Sequence, residues 1–314
     1  MNLEKTIISV VIPCYNEEKN VVAMYNAVRE QFESFLPSYE FEIIFIDNKS
    51  SDKTRSLIRD CCAKDKRVKA IFNRCNFGQF NSPYYALCQS QGACTILICA
   101  DFQDPVELIP KMVKEWESGN KVVCMIKTSS QESGFWYFLR SVYYKLIQKM
   151  SQIKQIEHFT GFGLYDRSFI EILCSLNEAS PFLRGIVAEY APDHLEIPYE
   201  QRQRRAGKSS NNFFSLFDAA MLSFTSYTKI GMRFATFGGF LIAGLSVTVG
   251  IFYFIMKLLF WNSFTLGSSP ILVGVFFIGG TQLAFLGILA EYIMSINVRI
   301  MHRPLVIEEE RINF

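Results

Sequence analysis

The 314-residue sequence has no Cys-x-x-Cys pair and only three histidines, His158, His194 and His302. Its nine cysteines therefore lack the ligand spacing of structural zinc and fit a reducing, cytosolic setting. No charge of one sign dominates: 32 basic against 30 acidic residues leave a net +2, which gives no global attraction for nucleic acid. No glycine-rich turn follows the first apolar run, which weighs against a dinucleotide site. That run, Ile7 to Ile12, is too short for a signal-peptide core and leads into Pro13-Cys14-Tyr15-Asn16 rather than a small-residue cleavage site. The amino terminus is expected to stay in the cytosol. Charge is scarce as well, at 20% of residues, while half are apolar and the mean hydropathy is +0.15, high for a wholly soluble enzyme.

From Ile7 to about Lys127 short β-branched runs alternate with longer amphipathic stretches. The pattern predicts strands at Ile8 to Pro13, Phe41 to Asp47, Val68 to Asn73, Thr95 to Asp101 and Lys121 to Lys127. Helices are expected near Glu18 to Phe35, Asp52 to Lys64, Pro83 to Gln91 and Pro105 to Ser118, each starting beside a capping or first-turn residue. Continuous apolar strands separated by helices imply an α/β fold with a mostly parallel sheet and ligands at the carboxyl ends of its strands.

The last third differs. Phe234 to Met256 and Ile271 to Ala290 carry no charge over about 23 and 20 residues, each enough to cross roughly 30 Å of hydrocarbon. The connector Trp261 to Pro270 is uncharged, whereas Lys229 and Arg233 precede the first span and Arg299, His302 and Arg303 follow the second. Positive-inside counting then predicts a two-helix hairpin with both termini cytosolic. Glu291 closes the second span as an interfacial or helix-contacting carboxylate rather than a transport residue. Phe135 to Ile153 and Asn212 to Phe234 mix aromatic and basic residues and read as interfacial helices on the membrane, or as ordinary amphipathic helices on the sheet.

Chemistry gathers at the predicted strand ends. The first ends in Pro13-Cys14-Tyr15-Asn16-Glu17-Glu18. The second ends in Asp47-Asn48-Lys49-Ser50-Ser51-Asp52, where a carboxylate can accept from a ribose or base, though the segment is also a good turn and cap. The fourth delivers Asp101, Gln103 and Asp104, oxygen ligands placed where a hard cation could bridge a diphosphate; Asp104 alternatively caps the helix that begins at Pro105.

These motifs, together with Asn76-Phe77-Gly78 and Arg205-Ala206-Gly207-Lys208-Ser209 and the two spans, resemble the inverting glycosyltransferases of family two. Within that family the chain looks like the polyprenyl-phosphate branch, which includes bactoprenol glucosyltransferases and dolichol-phosphate mannose synthases. The resemblance implies a nucleotide-sugar-binding, GT-A-like sheet with helices on both faces. It implies a cytosolic glycosyltransferase domain over residues 1–210, an interfacial region over 211–233, two transmembrane helices over 234–298 and a cytosolic tail over 299–314.

The implied reaction moves a hexose, glucose from UDP-glucose as first choice, onto undecaprenyl or another polyprenyl phosphate at the inner leaflet, with inversion. GlcNAc, galactose and mannose stay open as the sugar. By resemblance, Pro13, Tyr15 and Glu17 cradle the nucleoside, Asp47 contacts base or ribose, and Asn76 joins the substrate-binding set. Asp101 and Gln103 hold Mg²⁺ or Mn²⁺ on the donor diphosphate, with Asp104 in the catalytic set, orienting sugar or acceptor. Arg140, Arg205, Lys208 and Ser209 meet the diphosphate or lipid phosphate; residues 201–208 also read as a solvated basic loop or a patch for anionic lipid. The resemblance further implies a homo-oligomer, possibly a tetramer, in the cytoplasmic membrane.

Two positions depart from the family. Cys99 stands where relatives often carry the first Asp of Asp-Ala-Asp, and Gly161 stands where many carry a proposed catalytic Asp; Asp166, close by, reads as support for the fold. A phosphate monoester with its second pKa near 6 needs little deprotonation, so a missing base is tolerable. The rival readings are a processive polysaccharide synthase, which Gln201-Arg202-Gln203-Arg204-Arg205 opposes by lacking a Trp, and a catalytically silent membrane-anchored nucleotide-sugar-binding scaffold, which Cys99 and Gly161 motivate.

Overall fold

A computed structural model describes residues 5–128, 156–205, 230–260, 268–301 and 303–314. The described residues of Met1–Lys145, Ile153–Asn212 and Met301–Phe314 form one compact unit, and those of Leu146–Gln152 and Phe213–Ile300 another.

The first unit begins with β1 (Ile7–Cys14), α1 (Val21–Phe35), β2 (Glu40–Asp47), α2 (Thr54–Lys64), β3 (Val68–Asn73), α3 (Gly78–Gln89) and β4 (Cys94–Leu97). A 3₁₀ turn (Val106–Leu108), α4 (Ile109–Glu117), β5 (Val122–Lys127), β6 (Phe159–Asp166), α5 (Arg167–Leu176), α6 (Leu183–Tyr190) and β7 (Leu195–Tyr199) follow. The strands form one eight-stranded sheet, ordered β7-β5-β6-β4-β1-β2-β3-β8, where β8 is Glu308–Ile312. Its centre, β4-β1-β2-β3, is parallel, while β6 and β8 run antiparallel to their central neighbours.

Successive strand residues point to opposite faces, so an apolar run such as Ile8 to Ile12 fills two cores at once. Val10, Ile12 and Phe45 pack with Met24, Val28, Phe32, Ile58 and Met112 on one face. Val11, Ile44 and Ile46 pack with Tyr84, Leu87, Phe169 and Ile186 on the other. This is the α/β class expected, with helices on both faces of the sheet. Because β2 lies on one side of β1 and β4 on the other, the winding reverses between β1 and β4. Their carboxyl ends therefore frame the crevice where open α/β sheets take ligands.

Among the elements the sequence pattern addressed, three differ from expectation. β4 stops at Leu97 instead of reaching Asp101: the Ile98 amide still bonds to the Val11 carbonyl at 3.1 Å, after which the chain leaves the sheet. α3 starts at Gly78 with Pro83 inside it, because the Asn76 side chain accepts the Gly78 amide at 2.8 Å and sets the first turn upstream of the proline. The residues after Met301, expected as a tail, supply β8.

β6 depends on a side chain it lacks. Gly163 faces Leu97 on β4 and Cys124 on β5, and a Cβ built there would lie 2.3 Å from the Val123 carbonyl oxygen. Gly163→Ala is expected to destabilise the protein by about 1–3 kcal/mol through overpacking. A lower midpoint of thermal unfolding for the full chain checks this, and an unchanged midpoint refutes it.

The second unit contains α7 (Ile230–Leu259) and α8 (Ser268–Ile300). They pack on each other where Gly238 admits Phe285: a Cβ on that glycine would lie 3.3 Å from the ring. Phe237, Phe240, Leu241, Leu283 and Leu286 stand exposed. Within α8, Phe277–Met294 is long and apolar enough to cross a membrane by length and composition. The two proposed interfacial segments lie outside the described residues, apart from the first turns of α7.

Candidate functional site

Three non-glycine residues at the carboxyl ends of β1, β2 and β4 adopt left-handed backbone: Asn16 at φ 56°, Lys49 at 65° and Phe102 at 61°. For an aromatic residue this is an uncommon conformation, of the kind that collects at functional sites. The loops they shape are zipped together. The Asn16 amide donates to Ser50 Oγ at 2.9 Å, the Glu17 amide to Thr54 Oγ1 at 2.8 Å, and the Ser51 amide to Asn16 Oδ1 at 2.8 Å. Asp52 accepts from the Thr54 and Glu18 amides. The polar run after β2 thus serves as a turn and as the mortar between two loops.

Asp101 and Glu17 meet across this crevice, and Arg204 lies between them. Its Nη2 is 2.8 Å from Glu17 Oε1 and its Nε 3.2 Å from Asp101 Oδ2. Both carboxylates are buried. Burial raises the pKa of Glu17, opposed by its bond from Asn20 and by the Arg204 charge. The Gln103 amide donates to Asp101 Oδ1 at 3.1 Å, and two backbone bonds join this loop to the extended chain after β7: Arg202 N to Gln103 O at 3.0 Å and Arg205 N to Asp101 O at 3.3 Å.

In extended chain, alternate side chains share a face. Arg202 and Arg204 therefore turn toward Glu107 and Glu17, whereas Arg205 places its guanidinium 5.2 Å from the Phe102 ring centre. The sequence reading singled out Arg205 and missed Arg204; alternation along Arg202-Gln203-Arg204-Arg205 was the signal that separates them.

Asp104 does not cap the following turn, which has no side-chain cap bond. It is buried, accepts from the Tyr199 hydroxyl at 2.6 Å, and its pKa is pushed up to about 6, by burial first and by the Asp101 charge. Asp47 is fully buried and accepts the Ser50 amide; burial raises its pKa against that bond and against Arg55. Asn76 is exposed, but its side-chain oxygen is engaged by Asn48 at 2.8 Å and by the Gly78 amide. Pro13, the last residue but one of β1, is half-buried, and Tyr15 stands 40% exposed just beyond the strand. Arg140, Lys208 and Ser209 lie outside the described residues.

The departures have local explanations. Cys99 is exposed beside the Asp101 loop. Gly161 has φ 102°, a conformation an Asp side chain would strain, and its carbonyl accepts the Tyr165 hydroxyl at 2.7 Å. Asp166 is structural, accepting from the Trp116 indole at 2.8 Å and capping α5 through the Ser168 amide.

The Asp101 carboxylate is a hard oxygen donor of the kind a divalent metal takes once a ligand supplies further oxygens, and it is paired here with Arg204. Among the described residues no group of three metal-ligating side chains exists without such a ligand.

Glu17 and Asp101 thus face each other in the crevice at the switch point of the sheet. Residues 9–174 match the glycosyl transferase family 2 model, and the chain belongs to that family. It is 33% identical to the bactoprenol glucosyl transferase of Shigella phage SfV over 95% of this chain and 96% of that one. It is 31% identical to the prophage bactoprenol glucosyl transferase homolog of Escherichia coli K12, again over 95% and 96%. Among solved structures, mannosyl-3-phosphoglycerate synthase from Rubrobacter xylanophilus superposes with a TM-score of 0.49 at 15% identity, over 74% of this chain and 75% of that one.

Proposed function

We propose that the protein transfers a hexose, glucose from UDP-glucose by preference, to undecaprenyl or a related polyprenyl phosphate on the cytosolic leaflet. The observation that carries the reading is the Glu17–Arg204–Asp101 cluster at the β1/β4 crevice, in a chain akin over nearly its whole length to bactoprenol glucosyl transferases. The loops at Pro13 to Glu17 and Asp47 to Thr54 take the nucleoside, with Tyr15 against the base and Asp47 and Asn76 ordering the loops. Asp101 and Gln103 hold Mg²⁺ or Mn²⁺. When bound, that cation neutralises charge on the departing diphosphate.

A dianionic phosphate oxygen of the acceptor attacks the anomeric carbon as the bond from that carbon to the diphosphate oxygen breaks, so the configuration inverts and nucleoside diphosphate leaves. Arg204 turns from the carboxylates to the diphosphate, supported by Arg205, Lys208 and Ser209, while Arg140 meets the lipid phosphate. No residue need act as base, in keeping with Gly161. α7 and α8 cross the membrane as a hairpin with both termini cytosolic, and the enzyme works as a homo-oligomer, possibly a tetramer. The product serves surface polysaccharide modification.

Label transfer from UDP-glucose, UDP-GlcNAc, UDP-galactose and GDP-mannose into organic-extractable product tests the donor. Glucose is expected to dominate, and preference for another sugar would replace it. Arg204→Gln is expected to weaken binding of UDP in titrations with Mn²⁺ by about 1.5–3 kcal/mol, the range for hydrogen bonds to charged groups. Unchanged binding would remove Arg204 from the site.

A further inference from the structure

The carboxy-terminal strand has no part in the chemistry above, yet it is tied firmly to the sheet. β8 pairs with β3 through Ala70↔Ile312, Ile71↔Arg311 and Phe72↔Glu310. Asn313 Nδ2 donates to the carbonyls of Val68 and Cys62 at 2.8 and 2.9 Å, and the Arg74 amide donates to the Ile307 carbonyl at 2.9 Å.

From this fixed strand Glu309 reaches toward the loop after β2. Its Oε2 accepts from Lys49 Nζ at 2.8 Å and from Arg55 Nη2 at 3.1 Å. The same guanidinium holds the fully buried Asp47, with Nε 3.4 Å from Oδ2, and lies 5.1 Å from the Phe72 ring centre. Arg55 Nε has no aligned hydrogen bond, so Asp47 is held by charge and position rather than by a directed bond. Asp47 in turn accepts the Ser50 amide, and Ser50 Oγ accepts the Asn16 amide. One connected chain of polar contacts thus runs from Glu309 on β8 to the loop that carries Glu17.

We infer that Glu309 is a positioning residue for the donor nucleoside: by anchoring Arg55 it fixes Asp47 and, through Ser50, the register of the two loops that cradle the nucleoside. The inference rests on those loops being the nucleoside site. It makes the segment after the second apolar helix a working part of the donor pocket.

Titration of the full-length protein in detergent with UDP and Mn²⁺, alongside transfer kinetics, tests it. Glu309→Gln is expected to weaken UDP binding and raise the donor KM about tenfold, with kcat and the polyprenyl-phosphate KM unchanged. Glu309→Asp should recover most of the loss. Glu308→Gln, on a side chain that pairs with Arg311 and Tyr85 instead, should bind UDP as the wild type does. Wild-type affinity in Glu309→Gln, or an equal loss in Glu308→Gln, would overturn the inference alone. A wild-type protein that binds no nucleoside diphosphate would overturn the donor reading and this inference with it.

Discussion

Asp101→Asn is expected to lower kcat on the order of 10³-fold, comparable to losing a principal electrostatic stabiliser of a transition state, while the protein still folds. Asp101 sits beyond the end of β4, outside both apolar cores, and Asn keeps its shape and an acceptor for the Gln103 amide. What goes is the negative charge. On the proposed reading, a cation that Asp101 and Gln103 would hold loses a carboxylate partner, and Arg204 loses its contact with Asp101 while that with Glu17 stays. Two readouts should fall together: turnover, and the Mn²⁺-dependent part of UDP binding. Near-normal turnover would refute the assignment, and a loss of turnover with intact metal-dependent binding would move Asp101 from metal holding to orienting substrate.

The second large effect belongs to Asp104 and appears in stability against pH. Its folded-state pKa of about 6 stands above its ordinary 3.8 because the carboxylate is buried beside Asp101. Between those values the folded chain keeps a proton that the unfolded chain has released, so stability falls as pH rises through the window, and the penalty is complete above pH 6. A difference near two pKa units corresponds to about 3 kcal/mol. Asp104→Asn removes the titration but also changes the bonds to Tyr199, so the useful quantity is a double difference. The stability of the variant relative to wild type should be about 2.5 kcal/mol more favourable at pH 8 than at pH 4, where the unfolded carboxyl is already partly ionised. Denaturant unfolding at the two pH values measures it, and the same offset at both would show that Asp104 does not titrate in this window.

The first half of the fold was legible because its signals are local. β1, β2, β3 and β5 fall within a residue or so of expectation, since their apolar runs are bounded by polar turns and buried on both faces. β6 was not read, because Gly161 and Gly163 break the β-branched pattern and the strand is held by pairing to β4 and β5. β8 was least readable. Glu308-Glu309-Glu310 looks like a solvated tail, and it is a strand through its pairing with β3, with Glu309 and Glu310 meeting Lys49, Arg55 and Arg59 some 250 positions earlier. At the candidate site, Asp101 and Asp104 were singled out because strand ends collect ligands, Glu17 entered through the family resemblance, and the structure places Glu17 and Asp101 on one guanidinium. Arg204 was missed because its role depends on which face of an extended segment meets the Asp101 loop, and backbone bonds such as Arg202 N to Gln103 O decide that.

The most direct measurement is transfer of labelled hexose from UDP-glucose to organic-extractable product by the full-length protein in detergent with Mn²⁺, with undecaprenyl phosphate supplied or withheld. Label that appears only when the lipid phosphate is present, and disappears in Asp101→Asn, is the predicted result. A folded protein that binds UDP yet passes no sugar from any donor to the lipid phosphate would contradict the account and leave a silent, membrane-anchored nucleotide-sugar-binding protein in its place.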